Sequence, residues 1–251
     1  DTLAEHNVSW RAGVDYKAAP GILLYANVAK GYKAGSFPIA SAATFEQFLP
    51  VVQESLLSYE AGFKLSSSDR RFNASGAAFY YDYRNKQLRG KIVDPIFGVL
   101  DALDNIPKSR MLGLELDTTY SPANGLTLGL SGSYLNSKIT SFIGRDTAGG
   151  VKDYAGSVIP YTPKYQMRLS ADYKWKIGNA EPFVGIVYSV RSKALANIGG
   201  DLGLVVTPDF RSSVPVNKTY TIDGYGLFDV RAGASFNDGQ WSVMLFGKNV
   251  F

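Results

Sequence analysis

RMLGLELDTTYSPANGLTLGLSGSYLN, residues 110–136, decides the fold. Leu112, Leu114, Leu116, Thr118 and Tyr120 fall at every second position, with Gly113, Glu115, Asp117 and Thr119 between them. Successive side chains of an extended backbone point to opposite faces, so this run is a strand with one apolar side. Ser121-Pro122-Ala123-Asn124-Gly125 supplies turn chemistry, after which Leu126, Leu128, Leu130 and Tyr134 alternate with Thr127, Gly129, Ser131 and Ser133. The two runs make an antiparallel hairpin. A helix, at about 3.6 residues per turn, would scatter the same leucines around its circumference and leave no buried stripe.

The same alternation recurs on both sides of this hairpin. Upstream it covers residues 8–16, 57–65 and 72–85, the last with aromatics on both faces near its end at Phe79, Tyr80, Tyr81 and Tyr83, while 22–33 reads as a strand in which Leu23, Leu24, Tyr25 and Val28 do not keep strict parity; downstream the strands are 165–175, 182–191, 225–236 and 241–250. That predicts about ten strands. Short turns near Ala19, Ser67, Ala123, Asn179 and Asp238 alternate with long links, of which 87–107 is one and the stretch up to Thr221 is the longest. A short helix is expected only within a long link, around residues 45–49.

Links of twenty residues are uncommon in compact soluble domains, where connections are mostly ~4–6 residues. They are the rule on one side of outer-membrane barrels, whose periplasmic turns are short and whose extracellular loops are long. The expected fold is therefore all-β, an antiparallel up-and-down transmembrane β-barrel, here a partial barrel of about ten strands. The short turns face the periplasm. Leu128 is expected to face lipid near mid-strand, and Ser131 to face the lumen. Tyr80, Tyr81, Tyr83, Tyr134, Tyr188, Trp10 and Trp241 read mostly as aromatic girdles at the membrane interfaces.

Composition narrows function. The 251 residues carry no cysteine and one histidine, His6, so thiolate sites, disulfides and histidine-based metal or catalytic centres have no basis. No catalytic residue, metal site or cofactor is expected. The formal net charge of +4 is small and unclustered, which argues against nucleic-acid binding. With 33 aromatics, from 16 Tyr, 14 Phe and 3 Trp, and 26 Gly, the composition suits strands and girdles better than helix bundles. No apolar run reaches the ~18–20 residues of a membrane helix.

Several stretches resemble the C-terminal half of the barrel of TonB-dependent outer-membrane receptors. These are LLYANVAKGYKAGSF (23–37), ESLLSYEAGFKL (54–65), FNASGAAFYYDYRNKQ (72–87), RMLGLELDTTYSPANGLTLGLSGSYLNSKIT (110–140), YTPKYQMRLSADY (161–173) and GYGLFDVRAGASFNDGQWSVMLFGKNVF (224–251). The resemblance implies a 22-stranded barrel of a Gram-negative outer membrane, filled by an N-terminal plug. It also implies uptake of a scarce nutrient such as a ferric siderophore, with energy delivered by the TonB complex. Its implied partners are outer-membrane lipid, the TonB complex acting through the plug, and the small-molecule ligand. Residues 1–251 then form part of the barrel domain, with the plug, early strands and closing strand expected outside this sequence. A passive diffusion porin is the alternative, and a secreted β-sandwich has no natural place for long loops at one end.

Two sets of site residues follow. Glu60, Lys64, Glu115, Asp117, Arg168, Asp172, Lys174, Asp229 and Arg231 sit on the polar faces of strands and are expected to line the lumen rather than perform acid–base chemistry. Arg145, Lys152, Tyr154, Arg191, Lys193 and Arg211 lie in or beside the long links, where loops on a rigid scaffold commonly bind ligand. They are candidates to attract an anionic chelate.

Overall fold

The computed structural model describes residues 2–37, 44–198, 204–206, 213–215 and 221–250. Its principal element is a ten-stranded antiparallel sheet. In chain order the strands are β1 (Trp10–Ala19), β2 (Ile22–Lys33), β3 (Glu54–Ser66), β4 (Phe72–Asp94), β5 (Gly98–Ala123) and β6 (Leu126–Ser141). A two-stranded ribbon, β7 (Ile143–Arg145) with β8 (Val151–Asp153), then interrupts the sheet. The sheet resumes with β9 (Tyr165–Lys174) and β10 (Ala180–Arg191). Two further ribbons pair β11 (Ala194–Leu195) with β14 (Thr221–Ile222) and β12 (Leu204–Val206) with β13 (Ser213–Pro215). β15 (Tyr225–Phe236) and β16 (Trp241–Gly247) complete the sheet, whose edges are β1 and β16. The sheet does not close on itself.

Every sheet strand pairs with its neighbours in the chain, apart from the ribbons, so short turns and long connections emerge at opposite rims. Gly21 and Gly125, with φ of 77° and 81°, allow two of the short turns. At each, a Cβ would fall about 2 Å from a carbonyl oxygen of the adjoining strand, that of Ser66 or Lys174. A short 3-10 helix, Phe45–Phe48, occupies the first long connection.

The hairpin of β4 and β5 departs from the expected pattern. Residues 87–107, expected as a link, continue the ladder from Lys86↔Ile106 to Asp94↔Gly98, and only the tip at 95–97 turns. Pro107 signalled a break because it has no N–H to give. The ladder accommodates it opposite Asn85, which takes φ of 51° and whose carbonyl accepts instead from Asn105 Nδ2 at 2.8 Å. β6 likewise runs to Ser141, beyond its expected end.

The two faces separate as the alternation requires. Leu112, Leu114 and Leu116 are 48%, 56% and 42% exposed on the outward face, where lipid replaces water. An aromatic belt near the short-turn rim includes Tyr16, Tyr120, Tyr173, Phe236 and Trp241; the opposite belt includes Tyr59, Tyr80, Tyr134, Tyr165 and Tyr188. Leu128 stands opposite Tyr120 and only two residues from the start of β6, so it lies close to the lower belt rather than at mid-strand. Leu116, four residues from Tyr120 and four from Leu112, takes the central position. Tyr81 and Tyr83 share the parity of Ser75 and Ala77 and turn inward, so they do not belong to a girdle.

Beyond the upper belt the connections have a core of their own. Ile106, Ile139, Phe142, Tyr154, Ile159 and Ile198 are buried together, with Leu88 and Met111 packed against them. Phe142 and Tyr154 stack with ring centroids 5.7 Å apart. The segment around Gly156 adds backbone bonds to Ile139, whose N–H donates to Ser157 at 2.8 Å. Burial of such side chains contributes about 1.5–3 kcal/mol each.

Candidate functional site

The inward face of the sheet is a concave wall built from two adjacent polar rows. In the first, Lys64, Ser75, Asp117, Ser131, Arg168 and Ser189 stand opposite one another in turn across β3 to β10. The charges alternate in sign and a serine separates each pair, which places them two strand spacings, about 10 Å, apart. No ion pair joins Lys64, Asp117 and Arg168 among the described residues. In the second row Tyr25, Gly62, Ala77, Glu115, Ser133, Gln166, Arg191 and Tyr225 stand opposite in turn. Small residues flank Glu115 on both sides. Together the rows line a groove of about 590 Å³.

The first row climbs as it crosses the sheet. Lys64 is two residues from the short-turn end of β3, whereas Ser189 is nine residues from the short-turn end of β10. That is the stagger of tilted strands. It carries the row from the short-turn rim to the long-connection rim, where Arg191 ends β10.

Arg191 stands at the upper end of this wall, against Tyr225. Its guanidinium carbon lies 5.0 Å from the centroid of the Tyr225 ring, and its Nε is buried with no hydrogen-bond partner among the described residues. A guanidinium fixed on an aromatic face keeps its outer nitrogens available for a planar anion.

A second cluster lies lower on the wall, lined by Arg168, Asp172, Asp229, Arg231 and Lys248. Arg231 reaches over Gly185 to Asp172 on the far side of β10, donating from Nε at 3.2 Å. A Cβ at Gly185 would lie 2.2 Å from the Asp172 carboxylate and 2.6 Å from Arg231 Nε, so the glycine makes this ion pair sterically possible. Asp229 accepts from the Asn249 N–H at 2.8 Å. Glu60 accepts from Asn27 Nδ2 at 3.4 Å, and Lys174 stands exposed opposite Phe183.

The remaining loop candidates divide. Arg145 donates to the Gly149 carbonyl at 3.2 Å within the β7–β8 ribbon, and Lys152 lies 5.3 Å from the Tyr154 ring. Lys193 is exposed just beyond β10. Tyr154, 3% exposed, is packed into the rim core and its hydroxyl donates to the Arg145 carbonyl at 3.1 Å, so its ring is not presented to the lumen. Arg211 lies outside the described residues.

One inward feature is absent from both predicted sets. Phe79 and Tyr81 stack at 4.6 Å, Tyr83 meets Tyr81 edge-on at 6.3 Å, and Lys86 Nζ sits 3.9 Å from the Tyr83 centroid. Phe79 also covers Gly113, whose missing side chain leaves room for the ring. Lys86 pairs with Glu54 at 3.4 Å, and Glu54 accepts from the Gln87 N–H at 2.9 Å. Gln87 Nε2 in turn donates to the carbonyls of Ala34 and Val52, tying the first long connection to the wall. The shared parity of residues 75, 77, 79, 81 and 83 is the signal that would have revealed this ladder.

The pesticin receptor of Yersinia enterocolitica is 26% identical over 142 residues, which is 57% of this chain and 19% of that receptor. The Yersinia pestis pesticin receptor is 27% identical over the same length. Among solved structures, the ferric yersiniabactin uptake receptor of Yersinia pestis superposes with a TM-score of 0.70 at 18% identity, covering 97% of this chain and 32% of that one. The ferric preacinetobactin receptor of Acinetobacter baumannii gives 0.64 at 20% identity, covering 96% and 31%. At these identities the structural likeness is one of fold, and the chain spans a minor part of each relative. The profile described as TonB dependent receptor-like, beta-barrel matches residues 1–250, and the chain belongs to the TonB-dependent receptor family as part of its β-barrel.

Proposed function

We propose that this chain forms part of the wall and outer rim of a Gram-negative outer-membrane receptor that imports a ferric siderophore or a similar scarce chelate. Energy comes from the TonB complex through an N-terminal plug that fills the lumen. The observation that carries the reading is the pairing of an apolar, aromatic-belted outer face with a charged concave inner wall that rises to Arg191 at the long-connection rim. The uptake receptors for ferric yersiniabactin and ferric preacinetobactin, which share the fold, support the ligand class.

In this reading Arg191 contacts the anionic chelate, with Arg145, Lys152, Lys193 and Arg211 raising its local concentration by long-range attraction. Tyr154 supports the rim instead of touching ligand. Glu60, Lys64, Glu115, Asp117, Arg168, Asp172, Lys174, Asp229 and Arg231 face the plug and the water around it. No step requires catalysis.

The test is uptake of radio-iron chelates by cells whose only such receptor is the complete protein. Saturable uptake that stops when TonB is deleted is expected. Loss of one charged hydrogen bond in Arg191→Gln should weaken binding by roughly ten- to a hundredfold. Uptake that neither saturates nor depends on TonB would instead identify a passive pore.

A further inference from the structure

Beyond the main sheet the β4–β5 hairpin continues as a two-stranded ribbon, from Lys86↔Ile106 to Asp94↔Gly98. β3 leaves β4 at Arg84 and β6 leaves β5 at Lys108, so neither edge of the ribbon meets a further strand of the sheet. Side-chain bonds fix which backbone groups point outward. The Gln87 N–H donates to Glu54 Oε2 at 2.9 Å, and the Asn105 N–H, directly across the ribbon, donates to Asp104 Oδ1 at 2.7 Å. Neither N–H enters the ladder, so Gln87↔Asn105 is a non-hydrogen-bonded pair. The register is unbroken to the tip, and every second residue repeats that orientation: Arg89, Lys91 and Val93 on β4, Leu103, Asp101 and Val99 on β5. The Val93 carbonyl agrees, since it accepts from Gln47 Nε2 at 3.3 Å.

The two edges differ. On β4 the edge is capped at both ends, by Glu54 at Gln87 and by Gln47 at Val93. On β5 the cap is at Asn105, and the outward N–H and C=O groups of Val99, Asp101 and Leu103 have no partner among the described residues. Leu103 is about 30 Å along the strand from Leu112, which stands opposite Tyr80 of the upper belt, so the open edge lies outside the bilayer.

We propose that this edge is a docking site for an extended segment of a partner polypeptide, added antiparallel as a third strand. Residues of the segment opposite Val99, Asp101 and Leu103 exchange both backbone bonds with them. Specificity comes from the side chains beside these three. The charged residues of β5 here are Asp101 and Asp104, while the cations Arg89 and Lys91 stand on the far strand. Asp101 pairs with Lys91 at 2.7 Å yet keeps 57% of its side chain exposed. The segment that fits therefore carries a cation opposite Asp101 and apolar residues two positions to either side, against Val99 and Leu103. A second copy of this chain does not fit. Two receptors in one membrane raise their ribbons in the same direction, so identical edges would meet parallel and set Asp101 beside Asp101. The site depends neither on the chelate nor on the TonB complex.

The probe is a labelled synthetic peptide in which valine, lysine and valine alternate with threonine, titrated against the complete receptor in detergent and followed by fluorescence anisotropy. Saturable binding is expected. It should weaken roughly tenfold when the backbone nitrogen of the lysine is methylated, and stay unchanged when that of a neighbouring threonine, which faces away, is methylated. Leu103→Pro removes an N–H that the ladder does not use, so the ribbon should persist while affinity falls roughly tenfold. Replacing the peptide lysine by glutamate should weaken binding about fivefold, and Asp101→Lys should reverse that preference. Equal binding of the two methylated peptides, unaltered affinity in Leu103→Pro, or no binding to the unaltered receptor would overturn the proposal. So would dimerisation of the receptor that Leu103→Pro abolishes, because a second copy would then be the occupant. Heat-modifiable gel mobility verifies folding; if the proline variant does not fold, the two methylated peptides decide the matter on the unaltered protein.

Discussion

Replacing Leu116 by arginine tests the assignment of faces most directly. Leu116 is 42% exposed on the outer face of β5, opposite Gly76 and Gly132, four residues from Tyr120 on one side and four from Leu112 on the other. That is about 13 Å along the strand in each direction, the middle of the apolar band. An arginine facing lipid at the midplane costs about 2–4 kcal/mol, falling to about 0–1 kcal/mol near an interface. Leu128, opposite Tyr120 near the lower belt, should therefore cost less than about 1 kcal/mol on the same change. Ser131 lies inward between Asp117 and Arg168, so an arginine there meets one attractive and one repulsive neighbour and should change stability by about 0.5 kcal/mol or less. The assay is reversible urea unfolding of the complete barrel in lipid vesicles. Leu116→Arg should shift the folding equilibrium by roughly thirtyfold to several hundredfold more than Ser131→Arg. A Leu128→Arg cost equal to that of Leu116→Arg would refute the depth assignment, and a larger cost at Ser131 would invert the faces.

Four further outcomes are expected. On intact cells, Gly149→Cys in the β7–β8 turn should react with a membrane-impermeant thiol reagent while Asn124→Cys, at the opposite rim, stays unlabelled until the membrane is opened. Gly113→Ala places a methyl 2.3 Å from the Phe79 ring and should destabilise by about 1–3 kcal/mol through displacement of the inward aromatic ladder, read by urea unfolding and tyrosine fluorescence. Gly185→Ala should abolish the coupling between Asp172 and Arg231 in a double-mutant cycle, a coupling that its half-exposed partners limit to less than about 1 kcal/mol in the parent. Burial holds the Asp104 carboxyl above its ordinary range, so ionisation opposes folding there, and stability falls as pH rises from the unfolded value through the folded one. Asp104→Asn should therefore raise the melting temperature at neutral pH and have little effect in acid, where the parent carboxyl is already neutral.

How much of this was legible in the chain depends on where the bilayer acts. Between the belts, lipid on one side and polar surroundings on the other enforce strict parity, and Leu112 to Tyr120 and Tyr165 to Lys174 could be read residue by residue. Beyond the upper belt nothing enforces it. Residues 87–107 mix charges, Gly90, Pro95 and Pro107, and their ladder forms because the rim core packs around Ile106 and Leu88. The inward charges were legible from parity alone. Their relations were not, because whether Arg231 meets Asp172 depends on the register of three strands and on Gly185 between them. Tyr81 and Tyr83 are the girdle candidates that face inward, and their parity with Ser75 already points that way.

The climbing polar row has a mechanical consequence. A rigid body seated in the lumen with its own charges matched to Lys64, Asp117 and Arg168 cannot slide straight along the barrel axis and keep that match. Each step along the axis moves its charges off the row unless the body also turns about the axis, as a nut follows a thread. Translation and rotation are thereby geometrically coupled, and the pitch is set by the strand stagger. A pull applied along the axis would act on this wall partly as a torque.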